Sequence, residues 1–165
     1  MLALGQTNSH SIRSVLTIVK VNNEFERIGD CAVTIAEATL DPRRKTSNLP
    51  QTFRVMANSV LGMIRDANRA LSKNDPVLAR RVLDFDDTVE RFKQEILLDA
   101  QQRLADGELA VDGAFRILAV TKSLERIADH CTNVCEQVIY LETGKIVRHD
   151  AEGWTQPQDP GSADH

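Results

Sequence analysis

Residues 123–136 read SLERIADHCTNVCE and residues 24–37 read EFERIGDCAVTIAE, two stretches 99 positions apart that share Glu, Arg, Ile, Asp and a closing Glu in register. Upstream the agreement continues, with Ile18 and Val21 opposite Ile117 and Val120. Around both copies the apolar residues recur at alternating steps of about four and three, the period of an amphipathic helix rather than of a strand. An internal repeat fixes architecture before other features do, and this one says that the chain carries two copies of one long helix. The expected fold class is all-α.

Outward from the repeat, helix breakers divide the chain. The first copy lies in a helix expected from about Thr7 to Leu40, with Asn8 or Ser9 as N-cap and Val21, Phe25, Ile28, Ala32 and Ile35 as its seam. Asp41-Pro42 ends it, and the basic run Arg43-Arg44-Lys45 opens a linker. A second helix starts near Pro50, with Phe53, Met56, Val60, Ile64 and Leu71 on its apolar side, and turns at Ser72-Lys73-Asn74. Asp75-Pro76 is a strong start signal, because Asp caps free amides while Pro takes the first helical position without losing a hydrogen bond. That third helix is expected to reach about Leu104, with Leu78, Phe85, Val89, Phe92 and Ile96 in line, before Asp106-Gly107. The second copy lies in a fourth helix from about Leu109 to Thr143, stopped by Gly144, with Ile117, Leu124, Ile127, Cys131, Val134, Val138 and Leu141 along its seam. The resulting organisation is an additional long helix from an incomplete first bundle (7–41), a linker (42–49), a complete antiparallel three-helix bundle (50–149) and a disordered tail (150–165) holding Trp154.

Composition narrows the function classes. A chain of 165 residues buries roughly 70% of its unfolded surface and needs no disulfide staples. Its 42% apolar and 27% charged residues are those of a globular protein, and a net charge of −4 argues against nucleic acid or an anionic membrane surface as partner. Three cysteines, an odd number, point to a reducing compartment and hence a cytoplasmic location. No stretch approaches the roughly 18 apolar residues of a membrane span.

The candidate chemistry is carboxylate chemistry. Each repeat copy holds an E-x-x-x-D pair, Glu26/Asp30 and Glu125/Asp129, and a spacing of four puts both side chains on one helix face. At about 100° per residue they lie more than about 90° from the seam, toward the bundle surface. Asp86 and Glu90 form a third pair that faces Glu125/Asp129 if the third and fourth helices pack antiparallel. Four converging carboxylates need a cation, a proton or an arginine, and all-oxygen ligation suits Mg, Mn, Ca or iron better than zinc. Arg27, Arg126 and Arg91 lie one turn from carboxylates and offer ordinary surface ion pairs instead. Cys131 and Cys135 read as small buried hydrophobes and His130 as a surface histidine. There is no phosphate-cradling glycine loop and no nucleophile elbow.

With those residues in view, ERIGD followed by AVTIAE, and LERIADHCTNVCEQVIYLETGKIVRH, resemble the two signature helices of the PhoU family of phosphate-transport regulators, over roughly residues 8–149. The resemblance implies two similar three-helix bundles whose carboxylate motifs bind metal clusters on the protein surface. It assigns Glu26/Asp30 to the motif of the third family helix, Asp86/Glu90 to the fifth and Glu125/Asp129 to the sixth, as ligands of iron, manganese, magnesium or zinc. Glu90 stands where many members have Asp. The first two family helices, and with them the partners of Glu26/Asp30, are absent, so that either the chain is a fragment or shortened variant or another subunit supplies the missing half; the expected state is a homo-oligomer. The implied role is non-enzymatic: a cytoplasmic adaptor, peripheral at the inner membrane through its partners. It would link a phosphate ABC transporter ATPase to a sensor histidine kinase and damp phosphate-starvation signalling. Two other readings stand beside it, a metal-dependent carboxylate-bundle enzyme and the cytoplasmic PhoU-like part of a sodium/phosphate cotransporter. Against the enzyme, no Glu is followed three residues later by His, and the carboxylates point outward.

Overall fold

The computed structural model describes residues 9–40, 49–150 and 153–155. Five helices follow one another: α1 (Ser9–Thr39), α2 (Gln51–Lys73), α3 (Pro76–Asp84), α4 (Asp86–Ala105) and α5 (Val111–Thr143). Two three-residue strands, β1 (Arg148–Asp150) and β2 (Gly153–Thr155), close the described chain. The fold is all-α, and no described helix is long and apolar enough to cross a membrane.

Local chemistry sets the helix ends. Asp75 Oδ1 accepts hydrogen bonds from the amides of Val77 (3.0 Å) and Leu78 (2.9 Å), with Pro76 in the first turn of α3. Just before it, Asn74 takes the left-handed conformation at φ 49°, which Asn tolerates better than most side chains. Gly144 ends α5 at φ 71°, where a Cβ would be strained, and its amide donates to the Tyr140 carbonyl at 2.9 Å. The sequence reading of one helix from Pro76 to about Leu104 is corrected at Phe85. There the Phe85 amide reaches back only three residues, to the Val82 carbonyl at 3.2 Å, and the ladder restarts at Asp86. Buried Val82, Val89 and Ile96 are spaced by seven, as are Ala79 and Ala100 with the partly buried Asp86 and Lys93 between them. A regular helix drifts about 20° per heptad, and the tightened turn resets that phase.

α5 is the axis of the molecule. On one side it packs with α2 and with α3 and α4, which in succession form the third member of a three-helix bundle; on the other, α1 lies along it. Met56, Val60, Leu83, Val89, Ile96, Cys131, Val134 and Val138 form the centre of the bundle core. α1 runs antiparallel to α5. Arg13 lies against Gly144, Glu24 bonds His130 and Asn133, and Ala38 and Thr39 share a hollow with Ile117 and Val120. With a repeat offset of 99, antiparallel pairing places Ile28 and Ile127 close to an approximate two-fold axis between the helices.

The expected α1 seam shifts by one residue at one position. Val21 and Ile28 are buried and Phe25 and Ile35 partly so, but Ala32 is exposed and Cys31 is buried in its place. Steps of four and three from Thr17 through Val21, Glu24, Ile28 and Cys31 to Ile35 describe the stripe that meets α5. A second apolar stripe, including Ile12, Val15, Leu16, Ile18 and Val19, faces outward. At the other end, β1 spans the expected boundary at residue 150 and β2 lies in the expected disordered tail, with His149 opposite Trp154 in antiparallel register. Linker residues 41–48 and tail residues 151, 152 and 156–165 lie outside the described part of the chain.

Candidate functional site

Glu90 on α4 and Glu125 on α5 come together, and Lys93 brings them together. The Lys93 ammonium donates to Glu125 Oε1 at 2.9 Å and lies 2.5 Å from Glu90 Oε2. Gln94 Nε2 adds a hydrogen bond to Glu90 Oε1 at 3.1 Å. The two carboxylates therefore stand no more than about 5.4 Å apart, the total of the two lysine contacts. At an effective dielectric near 20 that is a repulsion of about 3 kcal/mol, which Lys93 cancels. Exposed pairs of this kind add about 0–1 kcal/mol to stability, so the triad neutralises a charged surface more than it holds the fold.

The charges show that balance. Partial burial opposes ionisation of Glu90, but hydrogen bonds from Lys93 and Gln94 outweigh it and hold its carboxyl below the usual range. Partial burial likewise works against the Lys93 charge, and Glu90 and Glu125 overcome it to raise the ammonium above its ordinary value. Asp129, one turn along α5, shows the reverse. Loss of solvation against the neighbouring surface, then the charge of Glu125, push its carboxyl above the usual range, and His130 and Lys93 do not fully offset them.

Of the six carboxylates singled out by spacing, Glu90 and Glu125 meet through Lys93, and Asp129 lies within reach of their charge. Asp86 opens α4 half-buried. Glu26 and Asp30 stand exposed on α1, which packs on α5 rather than on α4, and join no such group. Among the described residues no group of three or more His, Cys, Asp or Glu is arranged to hold a metal ion. The α4–α5 carboxylates as they stand do not fit a metal centre, because a lysine occupies the position between them where a shared cation would sit.

A second polar cluster ties α1 to α5. Glu24 Oε2 lies 2.7 Å from His130 Nδ1 and accepts from Asn133 Nδ2 at 3.0 Å. The expectation of a surface His130 is corrected, since its side chain is only 12% exposed and that of Glu24 17%. The available signal was a charge on the buried stripe: Glu24 sits between Val21 and Ile28 at helical spacing. Lys93 carried a weaker signal, three residues after Glu90, whereas its reach to Glu125 depends on how two helices pair. The cysteines are free and buried, and burial pushes the Cys131 thiol up to about 12 and the Cys135 thiol higher still, so both stay protonated at neutral pH.

The chain and its fold are similar to known proteins. A PhoU domain model matches residues 53–138. The chain is 33% identical over 86% of its length to the "phosphate-specific transport system accessory protein PhoU homolog 1" of Thermotoga maritima, of which it covers 62%. It is 31% identical over 90% of its length to the PhoU homolog of Pseudomonas putida, of which it covers 59%. Among solved structures, PhoU from Streptococcus pneumoniae superposes with a TM-score of 0.79 at 26% identity, over 89% of this chain and 69% of that one. PhoU from Pseudomonas aeruginosa gives 0.76 at 31% identity, over 87% and 69%. The chain thus spans about 60% of the length of the curated relatives it matches.

Proposed function

Since the chain belongs to the PhoU family, we propose that it is a regulatory accessory protein of phosphate transport that restrains uptake and phosphate-starvation signalling when phosphate is plentiful. The observation that carries this reading is the superposition of α1 to α5 on solved PhoU structures together with the repeated ERI-x-D helix. In this role the chain is an adaptor in the cytoplasm, docking on the ATPase of a phosphate ABC transporter and on a sensor histidine kinase. The bundle surface offers charged, solvent-facing helix edges for such contacts. Self-association through the outward stripe of α1 belongs to the same proposal, because that stripe leaves apolar surface uncovered. Iron, manganese, magnesium or zinc enters it only as an ion that would have to displace Lys93 from the α4–α5 carboxylates.

The test is complementation. In a bacterium deleted for its own PhoU, expression of this chain is expected to return an alkaline phosphatase starvation reporter to its repressed level in phosphate-rich medium. The transporter ATPase should co-purify with the chain from the same cells. A reporter that stays fully induced despite stable expression of the chain would overturn the proposal.

A further inference from the structure

We infer that Lys93 is a built-in counter-cation that takes the place of a metal ion between Glu90 and Glu125, so that the charged α4–α5 surface of this chain is maintained without divalent metal. The geometry carries the inference. One ammonium nitrogen lies 2.9 Å from Glu125 Oε1 and 2.5 Å from Glu90 Oε2, spanning two helices that the bundle holds together. A divalent ion bound by oxygens needs contacts of about 2.0–2.6 Å, little shorter than those the lysine already makes. The gap between the carboxylates thus holds one cation, and that cation is covalently tethered one turn from Glu90.

Tethering decides the competition. A free ion must break both lysine contacts and then sit beside a displaced ammonium of like charge, whereas Lys93 pays no translational entropy to return. Removing the ammonium reverses this. Glu90, Glu125 and Asp129 then lose the ammonium between Glu90 and Glu125 and keep the Gln94 hydrogen bond to Glu90 and the nearby His130, so that the groove gains net negative charge. The inference concerns this chain's own side chains and holds whether or not the chain regulates phosphate transport.

The experiment compares the wild type with Lys93→Met, which keeps an unbranched stem and loses the charge, and with Lys93→Met/Glu125→Gln. Mn2+ binding is followed by electron paramagnetic resonance of the free ion and by thermal melting with and without chelator, after circular dichroism has shown that each variant is folded. The wild-type melting temperature is expected to be the same in chelator and in Mn2+. Lys93→Met should melt lower than wild type in chelator, recover in Mn2+, and bind Mn2+ at least about tenfold more tightly than wild type. That gain should disappear in the double variant. Equal affinity of wild type and Lys93→Met for Mn2+ overturns the inference, as does a chelator-sensitive wild type or a gain that survives Glu125→Gln. If Lys93→Met does not fold, Lys93→Gln is read by the same criteria.

Discussion

Asp129 shows what a single residue contributes to this surface. Its carboxyl titrates above the usual range because the surrounding protein strips solvation from it and Glu125 repels its charge. A raised acid binds its proton more tightly in the folded state. The resulting penalty is absent below the unfolded value of about 3.9, grows as the pH rises from there to the folded value, and is fully present above it. Asp129→Asn is therefore expected to raise the melting temperature at pH 7 by no more than about 2 °C, since the residue is partly solvated, and to leave it unchanged near pH 3.5. A melting series across that range checks the sign. Glu90 and Lys93 shift in the stabilising directions, so their contribution holds at neutral pH, fades in acid as Glu90 protonates and fades in strong base as Lys93 loses its charge. Spacing on one helix was enough to single out Glu125 with Asp129 and Asp86 with Glu90. It could not show Lys93 between them, because a lysine's reach across a groove depends on the relative height of two helices, which no single helix encodes.

Among the elements, the boundaries with a chemical signal of their own were legible and the one without was not. Asp75-Pro76 and Gly144 mark helix ends through a capping carboxylate, a missing amide and a left-handed glycine, and the structure starts α3 and ends α5 there. Asp75→Ala removes two hydrogen bonds to free amides and is expected to cost about 1 kcal/mol, lowering the melting temperature by about 2–4 °C, while Asp75→Ser recovers most of the loss. An unchanged melting curve for Asp75→Ala would mean that α3 is held by packing alone. The interruption at Phe85 has no Pro, Gly or cap to announce it. It arises from the demand that Val82, Val89 and Ile96 keep facing one core, a tertiary constraint absent from local sequence. Likewise the α1 seam was read with Ala32 where Cys31 is buried, because the facing helix, rather than hydrophobicity alone, selects which stripe is covered.

In the whole molecule the two repeat copies meet different fates. Ile117 on α5 is 7% exposed and its repeat equivalent Ile18 on α1 is 68% exposed, while buried Ala128, Cys131 and Cys135 correspond to exposed Gly29, Ala32 and Ala36. The face that α5 covers with α2, α3 and α4 is thus the face that α1 turns outward. Replacing Val15 and Ile18 together by Glu is expected to leave the melting temperature within about 1 °C and to abolish concentration-dependent association in sedimentation velocity. A wild-type chain that stays monomeric at every concentration would remove self-association from the proposed function. The all-α class and the repeat were legible because each rests on periodicity, whereas the covering of one copy and not the other is a property of assembly. The near two-fold between α1 and α5 has an outcome of its own. A surface built from two similar copies offers any visitor two inverted ways of sitting down. Glu24, His130 and Asn133 lie on one side of that axis, and their images, Ser123, Cys31 and Thr34, are uncharged. The charged tie between α1 and α5 thus has no charged counterpart at its image positions, which gives the contact between the two helices a front and a back.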